Sequence, residues 1–216
     1  MSGYTGIMRT YYPNGELKAE WFEVNGIKEG EYIEYHNTLK FINVSINIRC
    51  NYVNGVLEGK YEQFYNILDV AENKYYNLLE KDCYYKNGLL HGEYSQYNNI
   101  PYYRYKITHY ENGNKNGLSI MINKDNVIIS ISNYKDNLLE GEYKQFDDNG
   151  ILITECNYIN GKMEGVRKQY YINGVLKHKS HIYNNHYHGS YIDYDENGNI
   201  TNQYSFLHGF RQDQIN

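Results

Sequence analysis

Cysteine and histidine are the residue types in this chain with the chemistry for nucleophilic catalysis or metal binding. Cys50, Cys83 and Cys156 each lie five residues before a glycine (55 − 50, 88 − 83, 161 − 156) and so share one position of a repeated unit. Equal positions two strands apart in a sheet are separated by about 9.5 Å, whereas a disulfide needs Cα atoms within about 7 Å. We predict three unpaired thiols that are buried as small hydrophobic residues.

Four histidines, His178, His181, His186 and His188, lie close together near the end of the chain. A zinc site needs three or four ligands that converge at about 2 Å, and such a site is the alternative to a structural role. His188, however, stands directly before a glycine, where other repeats carry glutamate, which indicates a polar position of the repeat. Motifs for a nucleophile elbow, a phosphate loop or a metalloprotease are absent from the sequence. We predict no catalytic residue, metal or cofactor, and a chain that is not an enzyme.

The elements that position these residues recur at a fixed interval. Gly117, Gly141, Gly165 and Gly189 follow one another at 24 residues (141 − 117, 165 − 141, 189 − 165). A period of this size is typical of stacked arrays, in which each unit buries its surface against its neighbours. We predict that the recurring glycines form structural turns. The full set is Gly6, Gly30, Gly59, Gly92, Gly117, Gly141, Gly165, Gly189 and Gly209.

A second turn signal follows nine residues after several of these glycines, as in Asn149-Gly150 and Asn173-Gly174 (150 − 141, 174 − 165). Two turns per unit bracket two strands, because Asn-Gly adopts the positive φ values of tight hairpins. The predicted fold is all-β: an elongated, single-sheet antiparallel meander of tandem hairpins, with roughly sixteen strands. It forms one array over residues 1–216, with irregular units at about 36–77 and a truncated unit at about 200–210.

Aromatic residues recur two positions after the main glycine and are the candidate binding residues of the array. They are Tyr32, Tyr61, Tyr94, Tyr143 and Tyr191. A second set stands five positions after the glycine, as Tyr35 and Tyr170 do. Side chains alternate between the two faces of a strand. Either both faces carry rings, therefore, or a bulge brings the two sets onto one face.

The segment from Glu155 to Gly165 resembles the core of the MORN (membrane occupation and recognition nexus) repeat, with an aromatic residue, Asn160-Gly161, three residues and a second glycine. It is most similar to the degenerate bacterial and viral variant known from toxin–antitoxin systems. The chain differs from the strict consensus in that the residue two positions after the second glycine is usually aromatic. The resemblance covers roughly residues 6–210. It implies a scaffold, a dimerisation platform, a lipid-proximal module or a binding surface.

The charge composition of the chain limits the kinds of partner that it can bind. The net charge of −5 argues against nonspecific binding of nucleic acid and against attraction to anionic lipid. A local basic patch of Arg167, Lys168, Lys177, His178 and Lys179 is the alternative to a solvated strand edge.

The sequence shows neither a signal peptide nor an apolar run of membrane-spanning length. We expect a cytoplasmic protein, in the host cytoplasm if the source is a virus. The abundance of Asn, Ile, Lys and Tyr indicates an AT-rich genome, as in large DNA viruses or low-GC bacteria.

From these features we predict a scaffold that binds a protein partner along an extended β-surface. The alternatives are an antitoxin-like inhibitor with one dedicated partner, and a lipid-proximal or enzyme-accessory module. Self-association through the sheet edges is also compatible with an open sheet. The longer units around 36–44 and 66–77 are candidate contact loops, and Leu68–Asn73 has the composition of a short helical turn.

Overall fold

The computed structural model describes residues 3–37, 45–69, 74–99 and 102–212, and every regular element in these ranges is a β-strand. The described residues contain eighteen strands in one antiparallel sheet, which confirms the predicted all-β, single-sheet fold. In the described ranges nothing forms an apolar helix of membrane-spanning length. The chain divides into two compact units, Met1–Tyr105 with His109–Gly113, and Lys106–Thr108 with Asn114–Asn216.

The first unit contains β1 (Gly6–Tyr11), β2 (Leu17–Val24), β3 (Ile27–Tyr35), β4 (Ile46–Val53), β5 (Val56–Asp69), β6 (Lys74–Lys86) and β7 (Leu89–Asn99). Strand β8 (Tyr102–Glu111) contributes residues to both units. The second unit contains β9 (Asn114–Ile122), β10 (Ile128–Lys135), β11 (Leu138–Leu139), β12 (Gly141–Phe146), β13 (Leu152–Ile159), β14 (Lys162–Tyr170), β15 (Leu176–Tyr183), β16 (His186–Tyr194), β17 (Ile200–Leu207) and β18 (Phe210–Gln212).

The strands form a meander, in which neighbours along the chain pair side by side. Consecutive pairing runs from β1 to β7 in the first unit. It continues from β9 to β18 in the second, where β10 pairs with both β11 and β12. This order requires only hairpin connections between paired strands, as the two turn signals per repeat predict.

Two kinds of turn connect the strands. In the first, both central residues have positive φ, as in Asn54 (φ 50°) and Gly55 (φ 79°) between β4 and β5, which is the type I′ geometry. In the second, Gly150 donates its N–H to Asp147 O at 3.0 Å and only the glycine has positive φ, so the loop is a type I turn closed by a glycine. Asparagine or glycine is needed at these positions because other side chains are strained at positive φ.

The main glycines of the repeat lie mostly inside strands, so their prediction as hairpin turns is wrong. Gly59 lies in β5 with φ 79°. Beside it Cys50 pairs with Tyr61 but Tyr52 pairs with Leu57, so residues 58–60 face a single residue of β4. This is a β-bulge, which glycine permits through its positive φ. The same register shift accompanies Gly30, Gly92, Gly165 and Gly189.

Gly209, the last member of the predicted glycine set, lies in a hairpin turn and not in a bulge. Gly209 forms the type I′ turn between β17 and β18 together with His208. It corresponds to Asn185, 24 residues earlier (209 − 185), and not to Gly189. The short interval of 20 residues between Gly189 and Gly209 (209 − 189) therefore joins two different positions of the repeat.

Replacing the bulge residue Gly165 with valine should destabilise the second unit by about 1–3 kcal/mol, because a β-branched residue is strained at positive φ. Gly165 has φ 82°, and no atom lies within 4 Å of a Cβ added there. The expected cost is therefore backbone strain without a steric clash. Urea unfolding measures the loss, and Gly165→Asn is the matched control, since asparagine tolerates this conformation. An equal loss in both variants would contradict the strain argument.

Each type I′ turn is held by the repeat before it. Gly88 donates its N–H to Leu57 O at 2.9 Å, and Asn87 donates its N–H to a carboxylate oxygen of Glu58 at 2.7 Å. The same backbone-to-glutamate bond joins Asn54 to Glu29, Asn160 to Glu140 and Asn184 to Glu164. The glutamate before the main glycine thus satisfies an otherwise unpaired turn N–H. Neighbouring repeats are coupled by these bonds, as expected for a linear array.

The second irregular unit lengthens a hairpin. β5 and β6 continue to pair beyond the usual turn position, up to Asp69 opposite Lys74. Leu68 and Asp69, part of the predicted helical turn, therefore belong to a strand. The rest of that prediction, residues 70–73, lies outside the described residues, and so does 38–44 of the first irregular unit.

Candidate binding surfaces

The predicted binding tyrosines line one side of the sheet, which we call the tyrosine face. Tyr61 pairs with Cys50 on one neighbouring strand and with Cys83 on the other. Its ring centroid lies 5.7 Å from that of Tyr85. Burial is the main cause that raises the pKa of Tyr94 to about 12, and it also raises the pKa of Tyr61. All five candidates, Tyr32, Tyr61, Tyr94, Tyr143 and Tyr191, are half-buried, so their rings contribute to packing within the array.

The core of the sheet consists of small residues between these rings. Cys83 and Thr108 are 1% exposed and Ser180 is fully buried. Cys50, Cys83 and Cys156 are buried and unpaired, as predicted. Burial raises the pKa of the Cys50 and Cys83 thiols to about 11. Since the thiolate is the reactive form, these cysteines are inert at neutral pH.

The second set of aromatic residues lies on the opposite face, so both faces carry rings. The Tyr35 hydroxyl donates to a carboxylate oxygen of Glu20 at 2.7 Å. Glu20 pairs across the strands with Ile33, whereas Tyr32 pairs with Trp21 on the tyrosine face. In the second unit the Tyr170 hydroxyl donates to Glu155 at 2.7 Å in the same way.

Charged residues form ion pairs on this opposite face. Arg49 lies 3.5 Å from Glu31 and 4.0 Å from Glu62. In the second unit Lys168 donates to Glu155 at 2.7 Å. The hydrogen bond from Lys168, followed by that from Tyr170, lowers the pKa of the Glu155 carboxyl.

The structure divides the residues of the alternative basic patch between the two faces of the sheet. Lys168 pairs with Lys179 on the face that carries the ion pairs, while Arg167 pairs with Ser180 and so belongs to the tyrosine face. His178 lies on the tyrosine face as well and is buried.

Exposed apolar residues follow the type I′ turns and were not singled out from the sequence. Val53 and Val56 flank Asn54-Gly55 and pair with each other on the face opposite Tyr52. A Cβ added to Gly55 would lie 3.1 Å from Ile27, and one added to Gly88 would lie 3.2 Å from Val56. Each of these turn glycines therefore packs against an apolar side chain of the preceding repeat. We call this row the turn ridge: Val24, Ile27, Val53, Val56 and Leu89 in the first unit, and Leu138, Ile159, Tyr183, Leu207 and Phe210 in the second. The signal in the sequence is an apolar residue on at least one side of most turn pairs.

The histidines of the last repeats do not converge. His178 Nδ1 lies 2.9 Å from an Asp193 carboxylate oxygen, and its Nε2 is buried with no hydrogen-bond partner among the described residues. His181 Nδ1 lies 2.8 Å from Ser190 Oγ, whereas the rings of His188 and His208 contact each other at 4.9 Å. Within the described ranges, no group of three or more His, Cys, Asp or Glu residues could hold a metal ion.

Two features therefore recur along the chain: a bulge next to a half-buried ring, and a type I′ turn capped by the preceding repeat. The family model described as "MORN repeat variant" matches residues 4–22, 139–160 and 187–208. Three stretches of the chain therefore match the MORN repeat variant. The second matched stretch contains Glu140 and the turn residue Asn160 that it caps.

Other comparisons add little to the family assignment. No curated protein matches the chain. Among solved structures, it is similar to a protein of unknown function from Bacteroides fragilis NCTC 9343, at 8% sequence identity over 82% of this chain and 93% of that one. The TM-score of 0.13 is too low for that likeness to carry an argument.

Proposed function

We propose that this chain is a non-enzymatic scaffold that binds a protein partner along the turn ridge. The observation that carries the proposal is the exposed apolar side chains that recur beside type I′ turns within each unit, such as Val53 (41% exposed) and Val56 (43%) in the first and Ile159 (48%) in the second. The chain as a whole is strongly polar, with a mean hydropathy of −0.78. Contiguous apolar surface on such a protein is typical of an interaction site.

The charged residues next to the ridge define the chemistry of the partner. Within each unit the turn-ridge residues lie on the same face as an ion pair, that of Arg49 in the first unit and that of Lys168 in the second. An apolar strip bordered by charges of both signs matches the apolar core and polar rim of protein interfaces. A nucleic acid would instead require excess positive charge, and the net charge is −5. The partner that fits is a protein with an elongated apolar strip flanked by charged residues.

We expect serine in place of ridge residues to abolish capture of the partner without affecting the fold. Val53→Ser with Val56→Ser tests the first unit, and Ile159→Ser tests the second. The measurement is affinity capture from the native cell followed by quantitative mass spectrometry. Ile172→Ser is the matched control, because Ile172 is 73% exposed but lies in the turn between β14 and β15, outside the ridge.

The result separates the alternatives. Loss of the same proteins, about tenfold or more, from the ridge variants but not from Ile172→Ser supports the scaffold. A single dedicated partner at high occupancy supports the antitoxin-like function. Capture of further copies of this chain supports self-association through the sheet edges. If the ridge variants capture every partner as well as the parent does, the turn ridge is not the binding surface.

A further inference from the structure

Trp21 gives the first complete repeat a third aromatic ring. It is the only tryptophan of the chain and stands five residues before Gly26. Most other repeats have small residues at that position, namely Cys50, Cys83, Thr108, Ser132, Cys156 and Ser180, while the last repeat has Tyr204. The centroid of the Tyr32 ring lies 5.9 Å from that of Trp21 and 6.0 Å from that of Tyr52. We call Trp21, Tyr32 and Tyr52 the three-ring cage.

An ammonium group occupies the cage. Lys28 Nζ lies 4.4 Å from the ring centroid of Tyr32, 4.8 Å from that of Trp21 and 5.0 Å from that of Tyr52. The corresponding position, two residues before the main glycine, is apolar in most repeats: Leu57, Leu90, Leu139 and Met163. A cation within about 6 Å of a ring face is attracted by the ring quadrupole, and here three rings act on one charge.

Hydrogen bonds to carboxylates fix two of the rings. Trp21 Nε1 donates to Glu23 at 2.9 Å, and the Tyr32 hydroxyl donates to Glu34 at 3.0 Å. These bonds orient the rings and place negative charge at their edges. The cage is therefore preorganised for a cation, which lowers the entropic cost of binding one.

We propose that the three-ring cage is a binding site for a trimethylammonium group, and that Lys28 is its resident, displaceable occupant. A primary ammonium is compact and strongly hydrated, so it gives up much solvation on entering a ring of aromatic side chains. A trimethylammonium group has no N–H to leave unpaired and is the cation for which aromatic cages are suited. Lys28 competes as a tethered ligand, so opening the site requires its withdrawal. The site lies on the tyrosine face and does not depend on the turn ridge.

The test uses the fluorescence of Trp21, which reports the cage because the chain has one tryptophan. Titration of Lys28→Ala with tetramethylammonium chloride should give a saturable change in emission, with an affinity at least about tenfold above that of the parent protein. Sodium chloride at equal ionic strength should give none. Lys28→Leu is the matched control, because leucine stands at this position in other repeats and fills the cage.

Further variants test whether the aromatic rings of the cage bind the tetramethylammonium ion. Adding Tyr52→Leu to Lys28→Ala removes one ring but keeps the tryptophan, and it should abolish the response. Choline and N-acetyl-trimethyllysine amide, titrated in parallel, distinguish a choline source from a methylated lysine side chain. A folded Lys28→Ala protein without a saturable response, or binding that survives Tyr52→Leu, overturns the proposal. If Lys28→Ala does not fold, Lys28→Ser provides the same open cage. The parent protein must also show a change in emission, at a tetramethylammonium concentration about tenfold higher than the open-cage variant needs.

Discussion

Replacing Cys83 with aspartate should cost on the order of 3–5 kcal/mol of unfolding free energy, because it buries an unpaired charge. Cys83 is 1% exposed and lies between Tyr61 and Tyr94 on the neighbouring strands. The rings and the paired strands exclude water from the carboxylate, and the nearby Lys81 ammonium offsets only part of the cost of burial. Urea unfolding followed by circular dichroism measures the loss.

Cys83→Ser is the matched control for this substitution. Serine occupies the same repeat position at Ser132 and Ser180, both buried, so the smaller hydroxyl should cost only about 1 kcal/mol. Should Cys83→Asp unfold at the same urea concentration as Cys83→Ser, the position is not the closed core of the sheet.

Raising the pH should also destabilise the protein strongly. In the folded state burial raises the pKa of the Cys50 and Cys83 thiols from 9.0 to about 11. A raised pKa means that the fold favours the neutral thiol. This stabilisation is complete below about pH 9 and is lost as the pH rises through about pH 11. By linkage, each thiol contributes about 2–3 kcal/mol to the loss.

The tyrosines extend the same effect to higher pH, since the pKa of Tyr94 and that of Tyr35 are both raised to about 12, mainly by burial. Unfolding free energy measured by urea titration at successive pH values should fall steadily above about pH 9. The double variant Cys50→Ser, Cys83→Ser is the control and should flatten the first part of the curve. A stability that stays constant up to about pH 11 in the parent protein would contradict the assigned burial.

The sequence was sufficient for the features that depend on local geometry. Asn54-Gly55 predicts a tight hairpin wherever it occurs, because the pair accepts positive φ. The common spacing of Cys50, Cys83 and Cys156 before such turns predicts one buried position, and the structure confirms free, buried thiols there. The interval of 24 residues, with two turns in each unit, likewise predicts an antiparallel meander.

The tertiary structure decided the features that depend on pairing between strands. Gly59 has the sequence signature of a turn but forms a bulge, because the type I′ turn at Asn54-Gly55 already joins the two strands. Glu58 caps the turn of the following repeat, at Asn87, 29 residues away. No local pattern predicts a partner at that distance, since it depends on which strands become neighbours.

Which face a side chain occupies was also decided by register. Residues alternate along a strand, but a bulge that adds an odd number of residues reverses the alternation relative to the neighbouring strand. Counting along the sequence therefore left the placement of Tyr32 and Tyr35 open, and the observed pairing puts them on opposite faces. The same pairing places Lys28 among three rings, a contact that forms only when β2, β3 and β4 lie side by side.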